Sequence, residues 1–311
     1  MFHRLPVELV YNIVHIAASS NLRTSVSRAL ELTLVSFTIR EALLPVIYDT
    51  LIVTSRNLER LSLGGQGLRY VSRLFVAKDV DDTDQVFVLL RHCTGLVWLD
   101  ASWSIIVAHD ESGVHPTKLS FRYESLRSIS RLTPTTGRHV THLEGYFYPF
   151  TSGAGPAPFT TWVKRLLKAL PALTHVGLTL ASADAQTVAD YMPMHVLDLL
   201  NIIRSFLWTD VEERGGREAS STGVERVVLH FCGAWTDPAP WSVLSRRLKD
   251  ELLGEIQQTT GRADIGVEER RVYVWVDEKW FLNWDEEETQ RADEVMAGVT
   301  IWEMGVPLVD I

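Results

Sequence analysis

Apolar residues recur three or four apart at the start of the chain. Leu5, Leu9, Ile13 and Ile16 would line one face of a short helix whose first turn accommodates Pro6. The polar stretch Ser19-Ser20-Asn21 interrupts this pattern. It resumes with Leu30, Leu34 and Phe37, while Leu32, Val35, Ile39 and Leu43 form a second stripe on the same stretch, which Pro45 is expected to halt. Two stripes predict contacts on two sides, one with the preceding helix and one with something else.

Beyond Tyr48 the period shortens to β-prone bursts, predicting strands over 50–54, 70–76, 95–99, 126–129, 139–146, 173–180, 224–231 and 271–276. Helical patterns lie between several of them, over 83–93, 160–170, 184–192, 241–257 and 285–296. Strand followed by helix, repeated, predicts a parallel sheet with helices packed behind it. Cys93-Thr94-Gly95-Leu96-Val97-Trp98-Leu99 and Leu170-Pro171-Ala172-Leu173-Thr174-His175-Val176-Gly177-Leu178 share a texture that resembles degenerate leucine-rich repeats. Their spacing wanders outside the usual repeat of about 20 to 29 residues, and no asparagine ladder is recognisable. The expected fold is therefore α/β: a helical module over 1–50, then an irregular repeat-like α/β solenoid over 51–311. A compact open α/β sheet is the alternative. Gly-, Pro- and Ser-rich or charged stretches at 63–68, 151–158 and 212–223 read as surface loops.

Composition narrows the function classes. With 311 residues, 46% of them hydrophobic, the chain can bury a sizeable core. A formal net charge of −9 without a cluster of Lys and Arg argues against nucleic-acid binding. Acidic residues concentrate towards the C-terminal end around Asp285-Glu286-Glu287-Glu288, as on a solvated helix opening or on a surface for a basic partner. Cys93 and Cys232 have no second cysteine nearby to make a metal pair, so two reduced, buried thiols in a cytoplasmic or nuclear protein are expected. The apolar stretch over 5–18 is broken by Pro6, Glu8, Asn12 and His15 and reads as an amphipathic helix, not a signal peptide. No apolar run approaches the roughly 20 residues of a membrane span.

Candidate chemistry is sparse. Gly64-Gly65-Gln66-Gly67 lacks the Lys-Ser/Thr ending of a phosphate loop and reads as a turn. Asp79, Asp81, Asp82 and Asp84 sit where a helix begins and read as capping residues, because the glycine and closing glutamate of a calcium loop are missing. His139 and His142, three apart on a strand, would point to opposite faces and could not chelate together. No nucleophile elbow, HExxH or kinase set occurs. Neither catalytic residues nor a cofactor or metal are expected. Ten tryptophans, with Trp275, Trp280, Trp284 and Trp302 crowded near the C-terminal end, point to core or end-capping roles or to ligand contact.

Leu5-Pro6-Val7-Glu8-Leu9, Ile13, Leu34-Val35-Ser36, Arg40 and Pro45-Val46-Ile47-Tyr48, in that spaced order, resemble the F-box motif, particularly that of large fungal F-box families. The resemblance covers about residues 4 to 51. It implies a three-helix module in which Leu5, Pro6, Leu9, Ile13, Leu34, Val35, Ile39, Leu43 and Pro45 build the module and its face for the Skp adaptor of a cullin ubiquitin ligase. The α/β remainder would then hold an unknown target protein. Ile39 stands where many F-boxes carry tryptophan, which lowers the expected adaptor affinity. The alternatives are a degenerate F-box attached to a ligase-independent protein-binding body or, further off, to an enzyme or small-ligand binder.

Overall fold

The computed structural model describes residues 6–22, 26–62, 65–108, 112–122, 137–147, 157–181, 199–203, 205–206, 223–232, 246–247, 249–251, 271–276 and 284–307. Leu5, the strand expected at 126–129, the helix at 184–192, the loop at 212–222, most of 241–257 and Trp280 lie outside them. The chain is a mixed α/β protein with mostly parallel strands, and it forms two compact units: Met1–Val114 with Ala292–Gly298, and His115–Arg291 with Val299–Ile311.

The first unit opens with three helices, α1 (Val7–Leu22), α2 (Val26–Leu32) and α3 (Phe37–Ile47). The continuous helix expected from Leu30 to Leu44 is in fact broken. Successive turns at 33–35 close with Thr33 N–H on Leu30 O and Val35 N–H on Leu32 O, and the Thr33 hydroxyl also donates to Leu30 O at 2.6 Å. Ser36, in extended conformation, then restarts the chain as the N-cap of α3, its Oγ accepting from Ile39 N–H at 3.2 Å. Pro45 does not halt α3 either: it sits in the last turn, where only two more helical residues follow. Tyr48 caps the end by donating its N–H to Leu44 O.

Strand β1 (Thr50–Val53) follows directly, then α4 (Leu58–Ser62), a 3-10 turn at Gln66–Tyr70, β2 (Arg73–Val76), α5 (Thr83–His92), β3 (Trp98–Ser102) and α6 (Trp103–Ala108). The strands pair in parallel, Thr50 beside Arg73 and Arg73 beside Trp98. Leu74, Phe75 and Val76 are all buried, the continuous apolar run of a parallel strand covered on both faces. Asp82 caps α5 through Gln85 N–H, and α5 buries Val86, Leu89 and Leu90. Cys93 is a buried free thiol, pushed up to about 12 by burial, so it is inert. Gly67 is required by a close approach: a Cβ there would lie 2.5 Å from the Tyr48 ring.

In the second unit β4 (Lys118–Arg122), β5 (His142–Phe147), β6 (His175–Ala181), β7 (Arg226–Cys232) and β8 (Val272–Val276) pair in parallel, and β9 (Val306–Pro307) adds antiparallel to β8. Helix α7 (Ala157–Ala169) buries Val163 and Leu166. Helix α8 (Trp284–Ala297), which belongs to this unit only up to Arg291, begins at the acidic run, where carboxylates suit a helix start. Leu119, Leu143, Val176, Val227 and Val272 are buried at one register level, and Phe121, Leu178, Leu229 and Val274 two residues further on. That period of two assigns one face of these strands to the core. No described helix is long and apolar enough to cross a membrane.

Strand starts in both units share a hydroxyl ladder that sequence reading missed. Asp49 O accepts from Ser72 and Arg73 N–H, Thr117 O from Thr141 and His142 N–H, and Thr141 O from Thr174 and His175 N–H. The side chains of Ser72, Thr141 and Thr174 donate to the same carbonyls at 3.1 to 3.2 Å. They satisfy backbone acceptors at the point where each strand begins.

Candidate functional site

The three N-terminal helices are apolar on more sides than they bury. Val10, Val14 and Ala18, four apart on α1, turn inwards to different extents, and Ala18 with Ala29 of α2 is wholly buried. The stripe read from sequence lies elsewhere: Leu9 and Ile13 are exposed, and Ile16 is 65% exposed. The turn before α3 presents Leu34 at 83% and Val35 at 67%, and Phe37 follows at 76%. Leu34 and Val35 thus belong to a turn and not to a helix face. Ile39 is half-buried, Pro6 and Pro45 are exposed, and Leu43 is at 1%. Leu43 therefore belongs to the module's core, whereas Leu9, Ile13, Leu34 and Val35 are available to a partner.

In the same unit, α1, α3 and β1 contribute to a cavity of about 420 Å³ lined by His15, Ser19, Pro45, Asp49, Arg73 and Met296, among others. Its charges are internally matched. Arg73 pairs with Asp49 and donates Nη1 to Val295 O at 3.0 Å. Burial works to raise the Asp49 carboxyl, yet hydrogen bonds from Ser72 and Arg73, with the guanidinium charge, hold it below its ordinary value. The cavity offers a ligand no uncommitted guanidinium.

The second unit carries a polar face opposite its core. Lys118, His142, His175 and Arg226 stand in one register row at the starts of β4 to β7. The His142 and His175 rings stack at 4.2 Å, and the Thr141 and Thr174 hydroxyls lie 2.8 and 2.9 Å from their Nδ1 atoms. Burial, then the neighbouring His175 and Lys118, push His142 down to about 4; burial also lowers His175. Next along the strands, Glu144 is buried, pairs with Arg291 and accepts from Ser120 Oγ at 3.0 Å. His142 and Glu144 thus serve separate contacts, and His139 stacks on His115 at 4.8 Å. Among the described residues no group of three His, Cys, Asp or Glu converges to hold a metal. Of the tryptophans, Trp302 is buried, with Nε1 donating to Leu143 O at 3.1 Å, and Trp275 stacks on His230 at 4.0 Å.

No family model matches the chain, and no curated protein matches it. Among solved structures it is similar to the leucine-rich repeat-containing protein LegL7 from Legionella pneumophila, at 11% identity over 85% of this chain and 96% of that one, with a TM-score of 0.37.

Proposed function

We propose that the chain is a substrate receptor of an SCF-type ubiquitin ligase, with no catalytic step of its own. Residues 1–50 act as an F-box that docks the Skp adaptor, and through it the cullin; the leucine-rich-repeat-like α/β region holds a target protein. The observation that supports this reading is the coincidence of motif and exposure: Leu9, Ile13, Leu34 and Val35 fall in the F-box-like pattern and stay open to solvent in a helical module. Exposed apolar groups at this density are costly to leave uncovered. Each Leu, Val or Ile taken out of water contributes about 1.5 to 3 kcal/mol, so four of them offset much of the entropy lost on association.

The test is retention of the full chain by purified Skp adaptor, beside a variant carrying Leu34→Asp and Val35→Asp. Both positions lie in an exposed turn, so folding is expected to survive. Retention at micromolar adaptor that drops at least tenfold in the variant supports the reading. A folded wild-type chain that ignores the adaptor overturns it and leaves a degenerate F-box whose body binds proteins without the ligase.

A further inference from the structure

The polar row of β4 to β7 is occupied by the chain itself. The 3-10 turn Ile301–Glu303 lies against it, with Ile301 and Trp302 both buried. Trp302 sets its ring edge-on to His142 at 5.1 Å and under the Lys118 ammonium at 5.6 Å. Ile301 fits over β6 because residue 177 is glycine: a Cβ there would meet Ile301 Cγ2 at 2.8 Å. Arg226 donates Nη2 to Met304 O at 2.8 Å; burial lowers its guanidinium from the ordinary value, against which Tyr273 and Glu303 act by favouring the cation. Beyond Gly305, in left-handed conformation, the segment ends as β9 on the edge of β8.

These contacts have the form of peptide recognition. An aromatic anchor is buried against a cation and an imidazole, a backbone carbonyl is read by an arginine, an acid faces that arginine, and a strand is added at a sheet edge. With His142 held neutral at ordinary pH, the charge of the row rests on Lys118 and Arg226 at its two ends. A basic row on a chain of net charge −9 selects for acidic ligands.

We propose that this row is a recognition face for acidic peptide segments bearing a tryptophan, and that Ile301–Met304 is its resident, autoinhibitory occupant. The idea rests on the α/β region being the part that holds a target, but it is independent of the adaptor.

The test uses a fluorescent peptide with the sequence of residues 299–306, titrated into the full chain. Trp302→Ala, which vacates the anchor, is expected to bind the peptide at least tenfold more tightly than wild type. Adding Arg226→Ala, or replacing the peptide's tryptophan by alanine, is expected to remove most of that gain. A second measurement covers a variant that fails to fold: hydrogen exchange over 299–306 in the wild-type chain, with and without millimolar peptide. Faster exchange with peptide supports displacement. A folded Trp302→Ala chain that ignores the peptide, or wild-type exchange unchanged by it, overturns the proposal. No adaptor enters either measurement, so failure here leaves the F-box reading standing, and adaptor failure leaves this face untouched.

Discussion

The helical module and the strand face of the second unit treat apolar surface in opposite ways. Besides Leu43, the module's fully buried described side chains are the small Ala18 and Ala29, while Leu34, Val35 and Phe37 stay in water. The strand face carries a polar row and covers it with two apolar side chains from near the C-terminal end, Ile301 and Trp302. One region leaves large apolar side chains in water; the other draws them in from elsewhere in the chain to cover a polar row. The same residue types therefore carry opposite mutational costs in the two places.

The largest test of that contrast is Trp302→Ala, expected to destabilise the full chain by about 3 to 5 kcal/mol in denaturant unfolding, since a buried ring is lost with its hydrogen bond. Within the module, Leu43→Ala is expected to cost about 2 to 5 kcal/mol, whereas Leu34→Ala is expected to change stability by no more than about 0.5 kcal/mol. Equal stability losses at 34 and 43 would erase the distinction between core and face. Removing the cap by Ser36→Ala is expected to cost about 1 kcal/mol in the same assay, because Ile39 N–H loses its acceptor.

The smallest effect sharpens the other side. His142 is held below its unfolded value, so the unfolded chain takes up its proton first as pH falls. Stability at this position is full above pH 6.5 and declines as pH falls towards about 4. Unfolding midpoints measured through that window should drop less in His142→Gln than in the wild-type chain; parallel curves would mean the ring is open to solvent.

Legibility from sequence followed the same division. Strands β6 and β7, each rich in apolar residues, could be read from their bursts to within two residues. The strand β4 was missed because Lys118-Leu119-Ser120-Phe121-Arg122 offers only two apolar side chains between charges, and β9 because it is two residues long and contains proline. Strand starts were placed too early at β2 and β3, where a 3-10 turn and the residues Ser72 and Val97 take up chain before pairing begins. The helix break at 33–36 had a signal, a serine three residues before Ile39, that the two overlapping stripes concealed. The first-helix stripe was found as a face, and it is exposed at Leu9, Ile13 and Ile16; periodicity marks a face without saying which of two apolar faces turns inwards. The contacts of Trp302 with Leu143 and His142 join residues about 160 apart, and no local pattern encodes such a meeting. The one hint was the recurring Thr-His pair at 141–142 and 174–175.

The short antiparallel strand β9 has a consequence for solubility. A parallel strand left open at its edge presents unpaired N–H and C=O groups to any other extended chain. Here β8 is paired by Val306 and Pro307, and the proline brings no N–H of its own to the outward side. Two residues thus convert a template for sheet growth into a terminus, and a chain shortened before Val306 should reveal the loss as concentration-dependent self-association.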